Sequence, residues 1–431
     1  MTVWHDDDLV RLSASEAAVL LQQRRLSAER LLQACLQRIN QREPQVLAWC
    51  ALNAEAALTQ ARALDAGPIS GPLHGLPLAV KDLFDTRDFP STYGSPIYAG
   101  QQPPADAAAV ALCRQAGAIV LGKTVTTEFA TFTPGPTRNP HNPAHTPGGS
   151  SSGSAAAVGA HMVPLALGTQ TAASIIRPAA YCGVVGFKPG FGLIPRAGVK
   201  SLSESLDTIG GFGRSVADVA LLTSVMADAP HWRELHMTGT PRIGLCRTPN
   251  WHAASAGSRE ALQLAADRLR QAGAEVIDVE LPASFTPLAE VHDLIMWAEA
   301  FKALAHERLC HPHLLSDNLR QRLAIGEQID FAQNRYNHAR LAEARADLPG
   351  VFASCDLLLT PSALGEAESG LERTGDPLFS RAWSALGLPS VHLPTGVGPA
   401  GLPLGVQLIG PEGSDSDTLA FCHWAEQHLR E

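Results

Sequence analysis

Residues 148–189 read GGSSSGSAAAVGAHMVPLALGTQTAASIIRPAAYCGVVGFKP. A Gly/Ser-rich segment runs straight into an Ala-rich stretch, expected to be helical from about Ser154 to Ala160. The apolar run Val163 to Leu167 reads as a buried strand, and Gly168 to Ala173 as a polar loop with Ser174 at its end. Loop, helix, strand and loop in so short a span point to a layered α/β protein. The flanks repeat the pattern. HGLPLAVKD places Lys81 at the end of a buried strand, Leu76 to Val80, and a helix over Asp106–Gly117 leads into the strand Ala118–Leu121. From about Gly239 to Val279 come a strand (RIGLC), a helix (SREALQLAADRLRQAG) and a strand (AEVIDVEL). CDLLLTPS is a further strand, SRAWSALGL a helix, and PSVHLPTG and LPLGVQLIG pair as strands.

The remaining segments are helical. Residues 12–66 carry Leu20, Leu21, Leu31, Leu32, Leu36 and Ile39 at helical spacing, with Ser13, Ser15 and Ser27 as caps and Pro44 as a terminator. Residues 283–348 contain few Gly and Pro and are expected to form a variable helical cap. No internal repeat or linker tract interrupts the chain. The expectation is one α/β/α layered domain over residues 1–431 around a large mixed β-sheet. Its parts are N-terminal helices (12–66), the cap (283–348) and the C-terminal part of the core (355–431).

Composition narrows the function classes. The 431 residues are 45% apolar and 17% charged, with a formal net charge of −9. That balance argues against nonspecific binding to nucleic acid or an anionic membrane, which both need a cationic face. The Asp6-Asp7-Asp8 cluster reads as a solvated tip. Eight cysteines are scattered without a CxxC pair, as expected of reduced thiols, and no zinc spacing is present; His311 and His313 around a proline are weak evidence for a metal. The N-terminus lacks a basic segment followed by an apolar one, and no apolar run reaches membrane-spanning length. The expectation is a soluble, cytoplasmic protein.

The Gly/Ser stretch allows three readings. A phosphate-cradling loop needs Gly-x-x-x-x-Gly-Lys followed by Ser or Thr, and GxGxxG would mark a dinucleotide site; neither occurs. A linker does not normally run into an Ala-rich helix and a buried strand. The third reading is an active-site loop, whose small residues and backbone N–H groups suit a bound anion and whose serine becomes a nucleophile if a base removes its proton. GxSxG is missing, and none of the 16 histidines stands in a recognisable arrangement with Ser174. A lysine serves as base only when neutral, and burial favours the neutral form. From position alone, Lys81 reads more plainly as a surface lysine paired with Asp82.

The motifs decide further. HGLPLAVKD around Lys81, GKTVTTEFA (Gly122–Ala130), RNP, PGGSSSGSAAAV around Ser150, GTQTAASIIRPA around Ser174, CGVVGFKP (Cys182–Pro189) and SLDTIGGFGRSVAD (Ser205–Asp218) resemble the amidase signature family, in order, over about Gly71 to Leu222, and more loosely over the whole chain. IIRPAAYCGVVGFKP is closer in shape to malonamidase-like members than to fatty acid amide hydrolase. The resemblance implies a Ser–cis-Ser–Lys triad with Ser174 as nucleophile, Ser150 as bridging serine on a cis peptide bond and Lys81 as base. It also implies an oxyanion hole of backbone N–H groups at Thr171, Ala172, Ala173 and Ser174, an acyl-enzyme intermediate, and no metal or organic cofactor.

Two departures matter. Relatives usually carry Gly-Gly before the nucleophile where this chain has Ala172-Ala173, and alanine is strained there if either position needs positive φ. Many relatives place an arginine two residues after the nucleophile, whereas Arg177 follows by three. In malonamidase-like enzymes an arginine at this spacing binds a substrate carboxylate; the alternative is an arginine that fixes the loop. Gln170 replaces an aspartate and, with Gly149 and Arg177, is a candidate substrate contact. The resulting expectation is a serine hydrolase cleaving C–N bonds of a small-molecule amide, with aryl amides and carbamates (urethanes) among the substrates, and with a homodimer allowed. The alternatives are the ammonia-producing subunit of a tRNA-dependent amidotransferase and a catalytically silent binding protein.

Overall fold

The computed structural model describes residues 5–237 and 239–429. Eleven strands form one sheet: β1 (Trp49–Leu52), β2 (Pro77–Lys81), β3 (Ile119–Thr124), β4 (Leu165–Gln170), β5 (Val185–Lys188), β6 (Thr208–Gly213), β7 (Arg242–Leu245), β8 (Glu275–Asp278), β9 (Leu357–Pro361), β10 (Ser390–Val397) and β11 (Pro403–Ile409). Their spatial order is β1-β3-β2-β4-β6-β5-β10-β11-β9-β7-β8. The sheet is mixed, as expected from sequence. β3, β2 and β4 are parallel neighbours, as are β9, β7 and β8, while the strands between these groups pair antiparallel. β2, β3 and β4 are buried along their whole length, as parallel strands covered on both faces must be. PSVHLPTG and LPLGVQLIG do pair, as β10 and β11.

Several boundaries differ from the sequence reading, each for a physical reason. β4 runs on to Gln170, because Thr169 and Gln170 pair with Ile209 and Thr208 of β6; the loop before Ser174 is therefore only Thr171–Ala173. β6 itself, TIGGFG, hides from pattern reading because Gly210 interrupts it. A Cβ at Gly210 would lie 2.1 Å from the Phe187 carbonyl oxygen. The helix Ile176–Cys182 contains Pro178, which sits in the first turn, where its missing N–H is not needed. Pro44 does not end its helix, which spans Ala28–Val46 and stops at Leu47 in the left-handed region (φ 54°). Pro44 forfeits one backbone bond, and the Glu43 carboxylate then collects the free N–H groups of Ala48 and Trp49. The Asp6–Asp8 cluster is the first turn of a helix, Asp6–Arg11, where carboxylates meet the positive end of the helix dipole.

Residues 283–348 are helical in the main. The helix Leu288–Ala303 packs on Asp317–Glu327, on Phe331–Val351 and on Leu378–Leu386. The eight cysteines are unpaired, and no helix among the described residues is long and apolar enough to cross a membrane.

Candidate active site

The carboxyl ends of β2 and β4 open side by side, the usual place for a ligand in a parallel sheet. Lys81 closes β2 and is fully buried. Its Nζ lies 2.8 Å from Ser150 Oγ, 2.7 Å from Thr169 Oγ1 and 3.5 Å from the Thr169 carbonyl. Burial drives the Lys81 pKa well below the ordinary lysine value, and the charge of Asp207 opposes that shift only in part. Asp82 is not its partner. It pairs with buried Lys123 at 2.7 Å, so the surface-pair reading of Lys81 fails.

Ser150 reaches Lys81 from the Gly/Ser loop, and the Gly149–Ser150 peptide bond is cis. Gly148 turns the chain at φ +78°, where a Cβ would also sit 2.9 Å from Pro178 Cα. The neighbouring serines anchor the segment to backbone. Ser151 Oγ donates to the Thr169 carbonyl (3.2 Å), Ser152 Oγ to that of Gly148 (2.8 Å) and Ser154 Oγ to that of Leu167 (2.8 Å). The helix Ser152–Gly159 starts directly behind this loop.

The first three carbonyls of the loop Thr171–Ser174 are tied back. The Thr171 carbonyl accepts from His292 Nε2 (2.9 Å), that of Ala172 from Ser384 Oγ (2.6 Å) and that of Ala173 from the Arg177 N–H (2.9 Å). Thr171 Oγ1 donates to Asp207 Oδ1 at 2.6 Å. Among the described residues no acceptor meets the N–H groups of Thr171, Ala172, Ala173 or Ser174, and Ser174 Oγ has no hydrogen-bond partner. With its carbonyls held, this loop keeps a set of N–H donors for an anionic oxygen. Neither Ala172 nor Ala173 has positive φ, so replacing the usual Gly-Gly costs no left-handed strain.

The candidate substrate contacts separate. Gln170 is not available to a ligand: its Oε1 accepts from the Ile175 and Ile176 N–H groups and its Nε2 donates to Ser384 Oγ. It braces the turn after the nucleophile position, a role an amide can fill because it both donates and accepts. Gly149 offers its carbonyl to Arg177 Nη2 at 2.7 Å. Arg177, buried, also reaches Thr374 Oγ1 at 3.2 Å, while its Nε and Nη1 have no partner among the described residues. Desolvation lowers its pKa to about 10, which leaves it charged at neutral pH. Ser174 and Arg177 line one small pocket, together with Phe132, Leu202, Met296 and Trp297. Trp297 Nε1 is a second buried donor with no partner among these residues.

Sequence reasoning missed Thr169, Asp207, His292 and Ser384. Asp207 lay inside a quoted motif without a role. His292 had one signal, a histidine among the apolar residues of a helix's buried face.

A mixed eleven-stranded sheet with a buried lysine–serine pair at its strand ends defines an amidase-fold protein. The comparisons with known proteins agree. The model of the family described as Amidase matches residues 30–419, and the chain belongs to that family, the amidase signature family. It is similar to the A-type chain of the glutamyl-tRNA(Gln) amidotransferase of Acidothermus cellulolyticus, at 34% identity over 95% of this chain and 92% of the relative. The counterpart from Azoarcus sp. is 33% identical over 97% and 98%. Among solved structures, an amidase superposes with a TM-score of 0.89 at 32% identity over 97% of this chain and 100% of the other. The peptide amidase of Stenotrophomonas maltophilia gives 0.84 at 30% identity over 97% of each.

Proposed function

We propose that this protein hydrolyses the amide of a small, carboxylate-bearing substrate through an acyl-enzyme on Ser174. The observation that carries the reading is Lys81, fully buried and 2.8 Å from Ser150 Oγ. A neutral amine there directs its N–H at Thr169 Oγ1 and turns its lone pair to Ser150. Ser150 gives up its proton to Lys81 and takes one from Ser174, whose free Oγ attacks the carbonyl at the cavity floor. The relay requires Ser150 Oγ and Ser174 Oγ to come within hydrogen-bond reach in the reacting complex. The N–H groups of Thr171–Ser174 meet the oxyanion, where one donor is commonly worth about 10²–10³ in kcat. The proton returns to the leaving nitrogen, and water then releases the acid. Carbamates share the carbonyl and the amine leaving group, so they enter the same path.

The carboxylate assignment is supported by the unpartnered donors. Arg177 and Trp297 both line the Ser174 pocket, and Arg177 Nε and Nη1 and Trp297 Nε1 are buried donors with no partner among the described residues. Leaving such donors unpaired is costly, and a substrate carboxylate would pair them.

A second reading, the ammonia-producing subunit of a tRNA-dependent amidotransferase, is favoured by the similarity to the glutamyl-tRNA(Gln) amidotransferase relatives over nearly their whole length. Glutamine is itself a carboxylate-bearing primary amide, so both readings use the same residues and differ in the need for a partner chain. The test is ammonia or amine release from glutamine, malonamate, short aliphatic amides, aryl amides and aryl carbamates, by wild type and Ser174→Ala. Turnover of carboxylated amides by the isolated wild-type chain supports the stand-alone enzyme. Glutamine turnover only after a copurifying partner is added supports the amidotransferase role. Equal rates in both proteins on every compound would remove the hydrolase reading.

A further inference from the structure

The helix Leu288–Ala303 does more than wall the cavity. His292, Met296 and Glu299 recur at i, i+4 and i+7, which places them on one face. His292 Nε2 lies 2.9 Å from the Thr171 carbonyl, Met296 lines the Ser174 cavity, and the Glu299 carboxylate accepts from Ser203 Oγ (2.5 Å), the Ser205 N–H (3.0 Å) and Ser205 Oγ (2.7 Å). That second anchor leads back to the same loop. Asp207 Oδ2 holds the N–H groups of Leu202 and Ser203, and its Oδ1 takes the Thr171 hydroxyl. Thr171 is thus gripped twice, at its carbonyl by the cap helix and at its side chain by Asp207.

The geometry points to His292 as a positioning residue for the oxyanion hole, the contact through which the cap sets the orientation of the Thr171–Ala172 peptide. A carbonyl can only accept, so the imidazole donates from Nε2, and that fixes its tautomer. The peptide whose carbonyl it holds carries the Ala172 N–H at its other end. Peptide planarity makes the two move together: a carbonyl turned toward His292 turns the N–H the opposite way. Burial and the nearby Arg381 hold the ring neutral, down to a pKa of about 3, so the donor tautomer persists across the working pH range. Among the described residues the ring's Nδ1 has no partner, and the Thr171 carbonyl is its one hydrogen bond. Because Met296 and Trp297 follow one turn later on the same helix, the element that shapes the acyl pocket also aims an oxyanion donor.

This inference rests on the Ser174 acyl-enzyme reading, and the experiment separates the two. A phosphonofluoridate reacts at an activated serine with its phosphoryl oxygen in the oxyanion hole. Its second-order inactivation rate is measured on wild type, Ser174→Ala, His292→Gln, His292→Asn and His292→Leu, with thermal unfolding run on each. Gln places its amide nitrogen near the reach of Nε2; Asn is one methylene short; Leu has no donor. Expected are rapid inactivation of wild type, none of Ser174→Ala, a His292→Gln rate within about threefold of wild type, and at least a tenfold drop for His292→Asn and His292→Leu. With the best amide substrate, the same two variants lower kcat while KM changes less than threefold. Equal rates for the Gln and Asn variants would overturn the positioning role, and the Asn variant carries the comparison even where Leu does not fold. A wild type that resists the reagent would instead remove the nucleophile reading itself.

Discussion

The two sides of Ser174 are finished differently. On the sheet side, Lys81 has Ser150 Oγ and Thr169 Oγ1 within hydrogen-bond distance, and the serines around Ser150 are tied to backbone carbonyls. On the cap side, Arg177 and Trp297 keep donors with no partner among the described residues, around the small pocket that Ser174 lines. A polar network that closes on itself is rigid, whereas buried donors left open are costly unless something from outside completes them. The contrast divides the labour. On the proposed function, the sheet side generates the nucleophile whatever the substrate, and the cap side selects the substrate.

The largest effect that would break this contrast comes from the sheet side. Lys81→Met removes the base and is expected to lower kcat/KM at least about 10³-fold, on the scale of losing a nucleophile or its base. The fold should not suffer. Below the ordinary lysine pKa the unfolded chain protonates Lys81 while the folded chain holds it neutral. The unfolded state therefore binds more protons, and burial of the lysine costs stability in that window. Thermal unfolding should show a melting temperature equal to or above wild type; a large drop would mean that Lys81 is structural.

On the cap side, Arg177→Leu should raise KM for carboxylated amides by about 30-fold or more, the scale of removing one partner of a buried charge pair, with little change for neutral amides. The ratio is the informative quantity, because Arg177 also holds the Gly149 carbonyl. An equal loss on both substrate types would leave only the bracing role.

The pH profile sharpens the sheet side. The neutral amine is the active form, so kcat/KM should fall about tenfold per unit as pH drops below the depressed Lys81 pKa and stay flat above it. A rising limb centred near the ordinary lysine value would contradict the buried base. The smallest effects belong to the alanine pair. Ala173→Gly should cost about 0.4–1 kcal/mol of stability with unchanged kinetics, since alanine already fits that backbone. Ala172→Gly, which opens the cavity wall, should also shift preference severalfold toward bulkier acyl groups, read from relative kcat/KM across an acyl series.

The same contrast separates what the sequence disclosed from what it did not. The alternation of strands and helices was legible because buried parallel strands are continuous apolar runs and the intervening helices are amphipathic. β6 and the helix Ile176–Cys182 were not, since glycines and a first-turn proline disguised them. On the sheet side, Lys81 and Ser150 could be assigned only because ordered motifs resemble a known family; nothing in the periodicity selects Lys81 over another strand-end lysine. The cap side was hidden for a different reason. His292 and Ser384 reach the loop from 121 and 212 residues away, and no local pattern records a contact of that range. The same loop shows Gln170 to be a brace where position alone made it a substrate contact.

The central claim is that Ser174 is the nucleophile and Lys81 its base. Peptide mapping by mass spectrometry, after wild type and Lys81→Met are treated with a phosphonofluoridate, tests it most directly. The account predicts a single phosphonyl adduct on Ser174 of wild type and essentially none on Lys81→Met. An adduct on another serine, or equal labelling of Ser174 in both proteins, would contradict it.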